Sequence, residues 1–361
     1  MARDIDTDAW AAHEMFQSYG GMEGLPDVAV RPRLSVRDFA RRVYPGVLVA
    51  LTIALAASWL SQHYAAPVML FALLFGMTFH FLHQEGRCIP GIEFTSKAVL
   101  RTGVALLGAR ITLEQVASLG WVPIGMVVAG VASTVVVGLG LARMLGLSRS
   151  FGLLSGGSVG ICGASAALAI ASALPKTRDT ERDTILAVVV VTTLSTIAMV
   201  LYPMLVTALG LDHQRAGLFL GGTIHDVAQV VGAGFMISPQ TGDVATYVKL
   251  LRVAMLLPVV LAVGLIMSRG GAGQAGKAPF PWFLAGFAAL VALNSLGVLP
   301  KPVTDTASEV SRWCLVAAIA ALGMKTSFKA LIDAGWRPVA VMVAETVWIG
   351  GLVLAVVLLA T

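Results

Sequence analysis

The sequence predicts an all-α, polytopic membrane protein, and three observations support this fold class. Of the 361 residues, 57% are hydrophobic and only 12% are charged, whereas soluble domains carry about 25% charged residues. The apolar residues form eleven runs, most of them near the roughly 20 residues that a helix needs to span a bilayer. Glycines interrupt two of these runs. We therefore expect nine to eleven membrane segments, including two glycine-broken helices or re-entrant segments.

Residues 1–43 are polar and predict a cytoplasmic N-terminal tail. Arginines cluster beside the first apolar run, and basic residues next to a membrane span mark its cytoplasmic side. The clustered arginines are Arg31, Arg33, Arg37, Arg41 and Arg42. The formal net charge of +5 is spread between apolar runs, which favours membrane orientation over nucleic-acid binding. The predicted location is the inner membrane of the cell, with the N-terminus in the cytoplasm and the lipid bilayer as surroundings.

Residues 44–361 are predicted to form one transmembrane transporter domain. Its unbroken apolar runs are 44–61, 65–82, 94–111, 121–143, 184–209, 246–268, 281–298, 310–324 and 336–360. The stretch 269–280 is rich in glycine and alanine and predicts a flexible linker between two halves of the domain. The three cysteines lack metal-ligand spacing, so we expect neither a disulfide framework nor a metal site. We expect no cofactor.

The two broken segments are the first candidates for a functional site. Residues 150–174 and 214–237 contain a short repeat 65 residues apart, in which GLLSGGSV (152–159) aligns with GLFLGGTI (217–224). Glycine costs roughly 1 kcal/mol in a helix interior, and irregular backbone survives inside a membrane only where protein or water satisfies it. Paired breaks of this kind are typical of the substrate site of secondary transporters.

A second repeat helps to predict the topology. LGAR (107–110) followed by GWVP (120–123) returns 215 residues later as LGMK (322–325) followed by GWRP (335–338). If all eleven segments cross the membrane, the 65-residue repeat is parallel. If the two broken segments instead dip in and return, nine helices cross and both repeats are inverted, as expected for transporters. This second arrangement is the preferred one.

Small residues at the breaks are the candidate substrate-binding groups. Exposed helix N-termini and glycine N–H groups suit an oxyanion, although small residues also serve close helix packing in membranes. The candidates are Ser155, Gly156, Gly157, Ser158, Gly160, Cys162, Gly163, Ser165, Gly221, Gly222, Thr223 and Gln229.

Charged residues inside the apolar runs are further candidates. His225 and Asp226 follow the second glycine pair and could carry a coupling proton or sodium ion, or cap a helix near the interface. Arg101 could pair with an anion or with Glu345 inside the bundle. Lys249 and Arg252 lie at the start of the helix after the second break, where attraction of an anion and interfacial anchoring are equally supported.

Three motifs in this order resemble the YeiH-like sulfate exporter family. They are GGSVGICGASA (156–166), GGTIHDVAQVVGAG (221–234) and VKLLRVAMLLP (248–258), and the similarity covers the chain from about residue 40 onward. The family is grouped with the cation:proton antiporter and anion transporter superfamily. This resemblance implies two broken helices that cross near the middle of the membrane, and a core domain that moves against a scaffold domain.

The first functional hypothesis is a secondary transporter, acting as an exporter, of a small anion such as sulfate or an organic sulfonate or carboxylate. Alternating access would be coupled to a proton or sodium ion. A cation:proton antiporter is the second hypothesis, although few buried acids are available for it. A membrane-embedded enzyme using Cys162 and His225 is the third. Glycine-rich breaks favour transport over catalysis, so we expect no enzyme. The oligomeric state is left open, with a homodimer as one option.

Overall fold

We describe the protein from a computed structural model, over residues 36–64, 67–84, 86–175, 177–269, 282–326 and 334–359. All regular elements in these ranges are helical, which confirms the all-α fold class. The α-helices are α1 (Val36–Tyr64), α2 (Val68–Thr78), α3 (Phe81–Gln84), α4 (Ile89–Phe94), α5 (Leu100–Leu107), α6 (Leu113–Ser118), α7 (Val122–Met144), α8 (Arg149–Gly160), α9 (Ala164–Ala173), α10 (Arg178–Ala208), α11 (His213–Thr223), α12 (Val227–Ile237), α13 (Pro239–Ala254), α14 (Leu256–Arg269), α15 (Trp282–Ser295), α16 (Lys301–Lys325) and α17 (Trp336–Leu359).

Six stretches of helix are long and apolar enough to cross a membrane, which confirms a polytopic membrane protein. They are Arg37–Tyr64, Val122–Met144, Arg178–Ala208, Pro239–Leu265, Lys301–Lys325 and Trp336–Leu359. A π-helical turn, Thr95–Val99, joins α4 to α5, and a 3-10 turn, Gly108–Arg110, follows α5. Helix α1 begins at Val36, within the stretch 1–43 for which a cytoplasmic tail is predicted. The rest of the tail and linker residues 270–280 lie outside the described residues.

The helices pack into two bodies. The first body contains α1 to α6 with α15 and α16, and the second contains α7 to α14 with α17. Contact between the bodies runs through α12, which packs against α2 and α16. An ion pair also joins them, because Arg110 Nη2 of the first body lies 3.1 Å from Asp243 Oδ2 of the second. The chain is thus organised as two packed units that share a limited interface.

The first broken segment is a re-entrant hairpin. Helix α8 runs inward, the chain turns at residues 161–163, and α9 returns along α8. The return is clear from Gly157, where an added Cβ would lie 2.1 Å from Cδ1 of Ile170. A continuous helix would separate these residues by about 20 Å. At the open end, Ser148 hydrogen-bonds Asp183 in the first turns of α10, so the hairpin begins and ends on the side where α10 starts.

The second broken segment is a hairpin of the same kind, formed by α11 and α12. Its two ends meet, because Ser238 Oγ lies 3.1 Å from His213 Nδ1 and Thr241 Oγ1 donates to the His213 carbonyl oxygen. This hairpin follows directly after α10 ends at Ala208, so it enters from the opposite side. The preferred re-entrant topology therefore agrees with the structure, whereas the crossing broken helices implied by the superfamily resemblance are wrong for this chain.

Both sequence repeats are inverted in the structure. Helices α5 and α16 are antiparallel, with Gly103 beside Ser311 and Glu93 beside Lys325. Helices α7 and α17 are also antiparallel, since Gly138 contacts Glu345 while Gly130 lies next to Ile349. The two copies of the 215-residue repeat consequently run in opposite directions. The 65-residue repeat is inverted as well, because the hairpins that carry its two copies enter from opposite sides, as expected for inverted-repeat transporters.

Candidate functional site

The tips of the two hairpins meet inside the second body. An ideal Cβ on Gly163 would lie 3.6 Å from the carbonyl oxygen of His225 and 3.9 Å from the backbone nitrogen of Asp226. Gly163 has φ 68° and ψ −134°, a backbone conformation essentially restricted to glycine. Residues 161–163 and 224–226 thus form one structural centre, which we call the tip junction.

Arg252 of α13 binds the ends of both inward-running helices. Its guanidinium donates to the carbonyl oxygens of Val159 at 2.6 Å and Gly160 at 2.9 Å in the first hairpin. It also donates to the carbonyl oxygens of Gly221 at 3.3 Å and Ile224 at 3.0 Å in the second. Only 1% of the Arg252 surface is exposed. One side chain therefore satisfies carbonyl groups that a helix C-terminus leaves without intrahelical partners.

Lys249 has the same role one turn earlier on α13. Its ammonium donates to the carbonyl oxygens of Ile161 at 2.6 Å and Ile224 at 3.0 Å, and the residue is fully buried. Helix C-termini carry negative partial charge, which cations stabilise. The two cations thus hold the tip junction together, and the interfacial-anchoring interpretation of Lys249 and Arg252 is wrong.

The outward-running helices begin at the tip junction with different N-caps. Asp226 caps α12, because its Oδ1 accepts the N–H of Ala228 at 2.8 Å. Gly163 stands at the N-cap of α9 and provides no side chain to cap it. Ser165, in the first turn of α9, is exposed, and Asp226 is half-buried. The accessible part of the junction is therefore the surface where α9 and α12 begin.

Polar partners from α10 and α17 fix the second tip. Ser195 Oγ accepts the backbone N–H of Asp226 at 2.9 Å, and Gln229 Nε2 donates to Thr196 Oγ1 at 2.8 Å. Nε2 of His225 lies 3.0 Å from Thr346 Oγ1. Among the described residues, Oε1 of Gln229 is buried without a hydrogen-bond partner. His225 makes no hydrogen bond to Cys162 there.

Several predicted binding residues serve helix packing instead of facing the accessible surface. Gly156 packs on the backbone of α7, Gly221 on α13, and Gly222 against Val353 and Met126. The Ser158 hydroxyl donates to Ser155 O and the Thr223 hydroxyl to Phe219 O, both within their own helices. These contacts correspond to the packing alternative. Of the predicted substrate-binding residues only Ser165 is exposed, and the predicted coupling residue Asp226 is half-buried.

The structure does not bring Arg101 and Glu345 together. Arg101 is exposed on α5 in the first body. Glu345 is fully buried in the second body, where its Oε1 accepts a hydrogen bond from Ser155 Oγ at 2.7 Å. The proposed pairing of these two residues is therefore wrong.

A second polar cluster faces the tip junction from the first body. Glu93 binds Lys325 at 2.8 Å, His83 at 3.0 Å and Lys97 at 2.7 Å. Lys325 also interacts electrostatically with Asp226. Asp226 thus lies between the cations of α13 and the cluster at the end of α16.

Sequence reasoning missed the partners that position these groups. Ser195 and Thr196 belong to the run TTLST (192–196) within an apolar helix, and Thr346 follows Glu345. A hydroxyl cluster inside a membrane span was the available signal, because such side chains often bond across helices in membranes. The Arg110–Asp243 pair left no local signal, since its members are 133 residues apart in sequence.

Comparisons with known proteins identify the family. Residues 45–342 match the family described as conserved hypothetical protein 698. A UPF0324 membrane protein of Chlorobaculum tepidum is 57% identical over 318 residues, covering 87% of this chain and 88% of that protein. UPF0324 membrane protein TauZ of Paracoccus pantotrophus is 52% identical over 324 residues, covering 88% of this chain and 96% of that protein. A Rhizobium meliloti relative is 49% identical over 315 residues, covering 86% and 91%. This confirms the family expected from the motifs: the chain belongs to the UPF0324 membrane protein family.

Proposed function

We propose that the protein is a secondary transporter that exports a small anion by alternating access. The observation that carries this proposal is the tip junction, where two hairpins from opposite sides meet and two buried cations bind their ends. Irregular backbone at membrane depth is tolerated where it is buried in protein or lines a cavity, and in transporters it forms substrate sites. The limited interface between the two bodies supports movement of one against the other.

Charge at the junction favours an anion. Two basic side chains, Lys249 and Arg252, bind the tips there, and one acidic side chain, Asp226, caps α12. The positive ends of α9 and α12 also begin there, and negative groups are stabilised at helix N-termini. Asp226 already occupies that place on α12. A substrate carboxylate, sulfonate or sulfate at Ser165 would provide the equivalent negative group for α9.

Asp226 and His225 are the proposed coupling residues for a proton or sodium ion. Asp226 is half-buried at the junction surface and interacts electrostatically with Lys249. Binding of a cation there would change the local charge that the substrate anion meets. In the cation:proton antiporter alternative, Asp226 would bind the transported cation itself.

The enzyme alternative finds less support in the geometry. A cysteine nucleophile needs a base within hydrogen-bond reach, whereas Nε2 of His225 is bonded to Thr346 and no hydrogen bond joins His225 to Cys162 among the described residues. Cys162 is itself buried, with 4% of its surface exposed. Transport is therefore the function that this arrangement supports best.

The test is thermal stabilisation of the purified protein by sulfate, methanesulfonate, acetate and chloride at equal ionic strength. A ligand that binds only the folded state raises the unfolding temperature, and the rise grows with the logarithm of the ligand concentration above its dissociation constant. We expect one oxyanion to stabilise the protein selectively, with a dependence on pH or sodium that Asp226→Asn removes. Asp212→Asn, at the exposed N-cap of α11, is the matched control. Stabilisation by sodium alone, with no anion response, would contradict the proposal and favour the antiporter.

A further inference from the structure

Glu345 is a buried carboxyl group that the proposed binding of the anion does not use. It lies near the middle of α17, and none of its surface is exposed. Its Oε1 is 2.7 Å from Ser155 Oγ on α8. Its Oε2 is buried without a hydrogen-bond partner among the described residues. The group therefore has one hydroxyl partner and one bare oxygen.

The surroundings of Glu345 contain no matching cation in the part of the chain that the structure describes. On α7, a Cβ added to Gly138 would lie 2.3 Å from Oε1, so the backbone approaches closely. The titratable groups that face this part of α17 are His225, which bonds the neighbouring Thr346, and Tyr202 of α10, whose hydroxyl lies 3.7 Å from a Cβ added to Gly350. The other charged residues of the packed helices α7, α8, α10 and α11 lie in the end turns of those helices. The nearest described cation on α13, Arg252, donates to the tip carbonyls instead.

A carboxylate in such a place is costly. Moving an ionised carboxylate out of water without a paired cation costs at least several kcal/mol, whereas a neutral acid needs only its hydrogen bonds. Ionisable groups inside membrane spans are also functional candidates by default. The contacts of Glu345 are those of a neutral carboxylic acid bonded to Ser155, not those of an ion pair.

We propose that Glu345 is a proton-binding site and carries a proton in the conformation described here. Through Ser155 it contacts the first hairpin, and through the adjacent Thr346 its helix contacts His225 of the second tip. Release of the proton would place an uncompensated negative charge between the two hairpins. Proton binding is thereby linked to the packing of both hairpins, and Glu345 acts as a further proton site for coupling beside Asp226. This last consequence rests on the proposed transport function.

Infrared difference spectroscopy of the purified protein tests the proton site without any transport assay. We expect wild type at neutral pH to show a protonated carboxyl C=O band that is absent in Glu345→Gln and retained in Asp226→Asn. Ser155→Ala should keep the band but shift its frequency, because the Oε1 hydrogen bond is lost. This second variant keeps the test decisive if Glu345→Gln does not fold. The absence of the band in wild type, or its persistence unchanged in both Glu345→Gln and Ser155→Ala, would overturn the proposal.

Reconstituted vesicles test the coupling role. Exchange of the stabilising anion across the membrane needs no proton gradient, so Glu345→Gln should retain exchange but show a weaker stimulation of net flux by a pH gradient. A wild-type response to the gradient in Glu345→Gln would refute the coupling role. Failure of wild type to exchange any anion of the panel would instead refute the transport proposal, while the infrared result would stand by itself.

Discussion

The two hairpins share their architecture but differ where their second arms begin. In the second hairpin, Asp226 places a carboxylate over the first turn of α12. In the first hairpin, Gly163 occupies the N-cap of α9 and has no side chain to cap it, and the exposed Ser165 follows two residues later. The inward-running arms show no such difference, because Arg252 binds the ends of both. One helix N-terminus carries a carboxylate supplied by the chain, and the first turn of the other carries no acidic side chain and has Ser165 exposed.

The comparison indicates how an inverted pair can become an asymmetric site. The C-terminal ends of α8 and α11 are held together by the same two cations, Lys249 and Arg252. The N-terminal ends of α9 and α12, where we propose that the substrate binds, differ. Asp226 supplies a negative group to α12, whereas α9 is free to receive a negative group from the substrate. Each prediction below perturbs one side of this comparison, beginning with the shared cations.

Arg252→Met should have the largest effect on stability. It removes the Arg252 donor from three carbonyl oxygens of the two hairpins and one of the two donors from Ile224 O, which keeps Lys249. Each unsatisfied buried polar group costs about 1–3 kcal/mol. We expect a loss of at least about 3 kcal/mol in the free energy of unfolding, measured with denaturant in detergent micelles. Lys249→Met, which removes donors to two carbonyls, should lose less. An equal loss in the exposed control Arg143→Met would contradict this explanation.

Gly163→Ala should have the second-largest effect on stability. A side chain at φ 68° and ψ −134° is strained by about 1–3 kcal/mol, although no neighbour lies closer than 3.6 Å to the added Cβ. Gly160→Ala is the matched control, since that helical glycine has its nearest neighbour at 3.5 Å. Thermal unfolding should show a lower midpoint for Gly163→Ala only. Equal midpoints would mean that the turn at the first tip tolerates ordinary residues.

The features shared by the two hairpins could be predicted from the sequence, because they follow from its composition and its repeats. Apolar runs, glycine breaks and two repeats were sufficient to predict the membrane fold and, through the inverted-repeat requirement, the re-entrant topology. The register at the tips could not be predicted in this way. The 65-residue repeat aligns Asp226 with Ile161, whereas the structure places Asp226 and Gly163 at equivalent N-caps.

The roles of individual residues were less predictable, because they depend on contacts distant in sequence. Many glycines of both breaks serve close packing, and only the neighbouring helix reveals this. Interfacial anchoring was one of the two interpretations of Lys249 and Arg252, because both residues stand in an apolar run without adjacent acidic residues. Their partners are backbone carbonyls up to 93 residues away, and a carbonyl group has no signature in the sequence.

Asp226→Ala removes the chain's own anion from the second tip. Loss of an N-cap costs about 1 kcal/mol, and we expect that decrease in the free energy of unfolding. Stabilisation by the binding anion should increase at the same time, because a neighbouring negative charge is gone. The control Asp212→Ala removes the exposed cap of α11 and should cost a similar amount without changing the anion response. Weaker anion stabilisation in Asp226→Ala would assign Asp226 to direct contact with the substrate.

Ser165→Asp should have the smallest effect on folding and a large effect on binding. The residue is exposed in the first turn of α9, where a carboxylate interacts favourably with the helix N-terminus by about 0.3–1 kcal/mol. The free energy of unfolding should therefore stay within about 1 kcal/mol of wild type. The new carboxylate gives the first tip a negative group like that of Asp226, so stabilisation by the anion should be lost. Ser165→Ala should retain it, and Ser172→Asp, near the other end of the same arm, should retain it too. If Ser165→Asp still responds to the anion as wild type does, the anion does not bind where α9 begins, and the difference between the two tips has another purpose.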